Sequence, residues 1–102
     1  MAHRVSFPEA LNEFEGVAKK LGATAIVLEQ NQSELRHKQA ELRDWTRLKR
    51  SDFFLQSIRR ERKMIISDGL KLQAEKVRLE VELEEARSDV NILLSGGRIT
   101  RL

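Results

Sequence analysis

Leu21, Leu28, Leu35 and Leu42 recur at every seventh position, the interval that keeps a side chain on one side of a gently supercoiled helix. A second series, Ile58, Ile65, Leu72, Leu79, Ala86 and Leu93, repeats with the same period, and Leu83 and Val90 add companions four residues on. Nearer the start, Leu11, Phe14, Ala18 and Leu21 follow three- and four-residue steps, which places them on one helical stripe. This pattern predicts an all-α chain whose long amphipathic helices form a coiled coil, or a helical hairpin or bundle, completed by oligomerisation. The expected oligomer interface is Leu21, Leu28, Leu35 and Leu42 in the first series, and Ile58, Ile65, Leu72, Leu79, Leu83, Val90 and Leu93 in the second.

Neither series is apolar throughout. Three residues before the first leucines stand Ala18, Ala25, Gln32 and Gln39, a companion seam that weakens pairing while narrowing its register. The companions in the second series include Arg62, Gly69 and Lys76, so continuous apolar packing is expected only from about Leu79. The intervals from Leu42 through Trp45 and Leu48 to Leu55 fit neither frame, which implies a stutter or a turn between the two series.

Local signals place the ends. Ser6 followed by Glu9 matches a capping box, and Pro8 is tolerated in a first turn, where its missing N–H loses no bond. Residues 1–5 are expected to be flexible, residues 6–94 to be the helical region, and residues 95–102 to be a flexible basic tail after Leu94-Ser95-Gly96-Gly97, which reads as a helix C-terminus. Candidate breaks lie near Gly22, at Ser51-Asp52 and at Ser67-Asp68-Gly69, where Ser and Asp suit a new helix start and Gly interrupts one. An unbroken helix over residues 7–94 would run on the order of 130 Å at 1.5 Å per residue. A rod with one apolar stripe has nothing of its own to bury that stripe against. The chain must therefore fold back, or another chain must supply the surface.

Charge refines this picture without replacing it. The chain has 102 residues, a formal net charge of +3, 34% charged and 5% aromatic residues, and no cysteine. A β-sandwich or barrel does not fit that composition, and disulfides and thiolate metal sites are excluded. No apolar run is long enough to span a bilayer and no signal-peptide core opens the chain. The expected setting is intracellular, cytoplasmic or nuclear, with no membrane partner and no small-molecule substrate. Arg43, Arg47, Lys49, Arg50, Arg59, Arg60, Arg62 and Lys63 form a basic patch opposed only by Asp44, Asp52 and Glu61, a local +5 (8 − 3). That patch offers an alternative function, a module binding nucleic acid or an acidic surface. A basic stretch ahead of leucine heptads has the layout of a basic zipper, but the sequence lacks the Asn and Ala-Ala pattern followed by Ser/Cys-Arg. Residues 75–89 are acidic instead, which suits antiparallel pairing with a basic stretch.

Phe53, Phe54, Leu55, Ile58, Met64, Ile65 and Ile66 cover more of the helical circumference than a two-stranded seam needs, and Trp45 just upstream is expected to anchor the same patch. Trp45, Phe53, Phe54 and Leu55 are the expected partner-docking residues. For catalysis the chain offers no phosphate loop and no nucleophile–base set. Glu34, His37 and Glu41 share a helical face, but one Glu-x-x-His unit is half of what a di-iron bundle requires. No catalytic, cofactor or metal site is expected. The expected function is a non-enzymatic coiled-coil structural or adaptor subunit that pairs with copies of itself or with a helical protein. A chaperone-like helical partner of another subunit is a further alternative.

Overall fold

The computed structural model describes residues 2–48 and 51–102. The elements run β1 (His3–Arg4), α1 (Phe7–Arg47), α2 (Asp52–Leu94) and β2 (Thr100–Arg101). Both helices start on a serine. The Ser6 Oγ accepts the Glu9 N–H at 3.3 Å, and the Ser51 Oγ accepts the Phe54 N–H at 3.4 Å, each relieving one of the unpaired donors at a helix start. Of the three candidate breaks, only the one beside Ser51-Asp52 separates two helices. Gly22 lies within α1, and Ser67-Asp68-Gly69 within α2.

α2 ends on the expected glycines. Gly96 adopts φ 84°, its N–H bonds the Leu93 carbonyl at 3.2 Å, and the Gly97 N–H bonds the Ile92 carbonyl at 2.8 Å. These are the two bonds of a Schellman cap. A side chain at Gly97 would collide with Ile92, whose carbonyl oxygen lies 2.9 Å from an ideal Cβ there.

Two compact units divide the chain: a terminal unit of residues 1–24 and 76–102, and a central unit of residues 25–75. In each, a stretch of α1 packs antiparallel on a stretch of α2, as in a helical hairpin. The sequence required either fold-back or a second chain, and fold-back is what occurs.

In the terminal unit, Ala10, Leu79 and Ala86 are buried. Around them Phe14, Val17, Leu21 and Thr24 of α1, and Lys76, Leu83, Val90 and Leu93 of α2, are half-buried. Leu79, only 1% exposed, is worth roughly 1.5–3 kcal/mol by its transfer from water. The terminal segments are paired: His3 stands opposite Arg101 and Arg4 opposite Thr100 in an antiparallel ribbon. The Val5 N–H extends it to the Ile99 carbonyl at 2.9 Å, and the Val5 side chain is buried. The sequence treated both segments as flexible ends because each is too short and too polar to predict a strand by itself.

In the central unit, Leu28, Leu55 and Ile58 are buried. Asn31, Leu35, Lys38, Leu42 and Trp45 of α1, and Arg62, Ile65, Gly69 and Leu72 of α2, are half-buried. This corrects the companion seam. In α1 the partners of the leucines stand three residues after them (Thr24, Asn31, Lys38, Trp45), while Ala18, Ala25, Gln32 and Gln39 are exposed. Trp45 thus continues the α1 ladder and Leu55 opens the α2 ladder, so the phase change read from sequence falls at the boundary between the two helices.

Candidate functional site

The residues expected at an oligomer interface are all buried or half-buried within the chain itself. Their first partners are therefore each other. What is left for another molecule must be sought among the side chains the hairpin does not use.

The central seam carries polar layers that set its alignment. Asn31 donates from Nδ2 to the Ile65 carbonyl at 2.9 Å, linking residues 34 apart in the chain. It can lie there because Gly69 has no side chain: an ideal Cβ at Gly69 would stand 2.6 Å from the Asn31 Oδ1. Next to it, Lys38 is paired with Glu61 of α2 and with Glu41 at 3.2 Å. Glu61 first, and Glu41 second, raise the Lys38 pKa above the ordinary 10.5, against the opposing effect of burial. Arg62 shares this region with its Nε buried and without a hydrogen-bond partner, a cost that apolar packing would not incur.

In the terminal unit, Arg101 closes the ribbon onto both helices. Its guanidinium reaches Glu13 of α1 at 2.5 Å and Asp89 of α2 at 2.6 Å, and the two carboxylates raise its already high pKa further, Glu13 more than Asp89. A shallow cavity of about 390 Å³ beside it is lined by Val17, Lys20, Glu82, Glu85 and Ala86 among others. Sequence spacing gave no hint of this link, because Arg101 and Glu13 are 88 positions apart.

Of the expected docking residues, the structure brings Trp45 and Phe54 together, edge to face with ring centroids 5.0 Å apart and planes at 75°, a favourable aromatic geometry. Phe53 and Phe54 are exposed. Leu55 is not a surface residue, as it is buried in the seam one turn above Ser51. Of the basic patch, Arg43, Arg47, Arg59, Arg60 and Lys63 are exposed and Arg62 is half-buried. Lys49 and Arg50 lie outside the described residues. Arg59, Arg60, Arg62, Lys63 and Gln56 line a shallow hollow of about 230 Å³ on α2.

His37 is exposed, and Glu41 of the same candidate set is engaged by Lys38. Among the described residues no three His, Cys, Asp or Glu side chains are placed to hold one metal ion, and no helix is long and apolar enough to cross a membrane.

Exposed apolar positions escaped the sequence reading. On α2, outside the seam, Leu70 and Ala74 stand four apart in the central unit, and Val77 and Val81 stand four apart in the terminal unit. Leu70 of the central unit is 69% exposed, and Val77 and Val81 of the terminal unit are 51% and 55% exposed. The signal was present as a second series in the same helix, hidden by the stronger first one. No family model, no curated protein and no solved structure matches this chain.

Proposed function

We propose that this helical hairpin is an assembly module, not an enzyme, and that it adds helices from a second copy of itself onto the outer face of α2 in the terminal unit, at Val77 and Val81. The supporting observation is that α2 is apolar on two sides while one partner helix covers only one of them. Val77 and Val81 of the terminal unit stay in water at the four-residue spacing that a packed helix uses. Only seven apolar residues are buried within the described chain, a small core for two such long helices, and further helices would enlarge it. The seam residues then play a double part: they close the hairpin, and in an assembled bundle their half-exposed edges would be covered.

Light scattering over a wide range of concentration tests this. The chain should exceed its monomer mass of 11.8 kDa and approach it on dilution. Val77→Glu combined with Val81→Glu should yield monomer at every concentration with an unchanged helical circular dichroism spectrum, since both side chains are exposed. A wild-type chain that stays at monomer mass throughout removes the proposal.

A further inference from the structure

Where α1 ends and α2 begins, the central unit displays two properties that the hairpin itself does not use. The first is apolar surface. Phe53 is 81% and Leu48 63% exposed, beside the Trp45–Phe54 pair. The second is positive charge, the +5 of residues 43–63, with Arg43, Arg47, Arg59, Arg60 and Lys63 at the surface. Two of the three opposing carboxylates already face cations: Asp44 lies 3.7 Å from the Arg43 Nε, and Glu61 is paired with Lys38.

A second copy does not match this surface. Its terminal unit carries eight Lys/Arg (residues 4, 19, 20, 76, 78, 87, 98, 101) and eight Asp/Glu (9, 13, 15, 80, 82, 84, 85, 89), a net charge of 0 (8 − 8). Several of those carboxylates are engaged at home: Glu13 and Asp89 by Arg101, Glu82 by Arg78 and Glu84 by Arg87. Nucleic acid would answer the charge and could stack on Phe53, but it offers no apolar medium for Leu48. An anionic bilayer surface answers both, because phosphate and carboxylate headgroups lie directly above acyl chains. Aromatic side chains are favoured at that boundary, and nearby Lys and Arg add attraction to acidic lipids.

We propose that the end of the central unit where α1 stops and α2 starts docks peripherally on anionic phospholipid membranes, with Phe53 and Leu48 entering the headgroup boundary and Arg43, Arg47, Arg59, Arg60 and Lys63 meeting lipid phosphates and carboxylates. Docking of this kind needs no membrane-spanning segment. It does not depend on self-assembly through α2, which uses other residues.

Trp45, the single tryptophan of the chain, lies at this end and reports on it. The full chain is mixed with vesicles of phosphatidylcholine alone, with vesicles of phosphatidylcholine and phosphatidylserine, and with a single-stranded polynucleotide, and flotation is followed together with Trp45 emission. Expected are co-flotation and a blue shift with the phosphatidylserine vesicles only, weakening as salt rises. Arg59→Gln with Arg60→Gln should reduce vesicle affinity by roughly fivefold for each cation removed. Phe53→Ser should reduce it about tenfold with an unchanged helical spectrum. No flotation with phosphatidylserine vesicles overturns the proposal, and so does equal binding to neutral ones. Binding to the polynucleotide without binding to vesicles overturns it in favour of a nucleic-acid ligand. A Phe53→Ser chain that binds as wild type removes the insertion step and with it the assignment.

Discussion

The terminal and central units are built from the same two helices and held by different physics. In the terminal unit, apolar positions follow one another with few interruptions: Ala10, Phe14, Val17 and Leu21 on α1, and Leu79, Leu83, Ala86, Val90 and Leu93 on α2. Arg101 and a short ribbon then tie the chain ends to both helices. In the central unit the seam is broken by Asn31 and Lys38 on one side and by Arg62 and Gly69 on the other. Apolar burial is indifferent to small slips along a seam, whereas an asparagine that fits one glycine and one carbonyl is satisfied in a single alignment. The terminal unit thus contributes stability through burial, and the central unit contributes register through polar matching.

This contrast can be broken most forcefully at Leu79. Leu79→Ala removes the best-buried large side chain of the terminal unit and should cost about 2–5 kcal/mol, the range for a leucine cavity, read as a large drop in thermal midpoint by circular dichroism. A change below about 1 kcal/mol would mean that burial in this unit is not what holds it.

A smaller effect, but a sharper one, is expected from a double-mutant cycle at Asn31 and Gly69. Gly69→Ala gains about 1 kcal/mol in helix propensity but drives the new methyl into Asn31, so with Asn31 present the two effects should largely cancel. In an Asn31→Ala background the gain should appear, giving a coupling of about 1 kcal/mol. Equal effects in both backgrounds would show that the asparagine does not occupy the glycine notch.

The smallest expected effect separates the units by pH. Glu61 and Glu41 raise the folded pKa of Lys38 above 10.5, so its contribution is complete below the ordinary lysine pKa and is lost as pH rises through the folded value. The guanidinium of Arg101 stays charged across that range. Lys38→Met should therefore flatten part of the stability loss in alkaline denaturation. The effect is reduced by the half-exposed Glu61, whose side chain is 50% accessible. An identical alkaline profile for Lys38→Met and wild type would remove Lys38 from the polar layer.

Much of the fold was legible because its rules are short-range. Ser6 could be placed as a helix start from a three-residue pattern and Gly96-Gly97 as a helix end, Ser51-Asp52 was one of three candidate breaks, and seven-residue spacing put Leu28, Ile58 and Leu79 on an apolar seam. The α1 companions were placed on the wrong side of the leucines because Ala18 and Ala25 are more apolar than Thr24 and Asn31, and spacing by itself favours the more apolar choice. The apolar cluster of Phe53, Phe54 and Leu55 was legible as composition, yet Leu55 could be separated from Phe53 and Phe54 only once packing fixed which face of α2 is covered.

The sequence by itself determined that this chain is helical, which stripe of each helix is apolar, and where the helical region begins and ends, since these depend on residues within about two turns of one another. Only the tertiary structure decided that the stripes meet within one chain, that Asn31 lies over Gly69, and that Arg101 joins Glu13 to Asp89. The hydrogen bonds of Asn31 to Ile65 and of Arg101 to Glu13 and Asp89 join residues 34, 88 and 12 positions apart. The two longest of them have no local signature, because they come into being when antiparallel packing sets one register between distant stretches of chain.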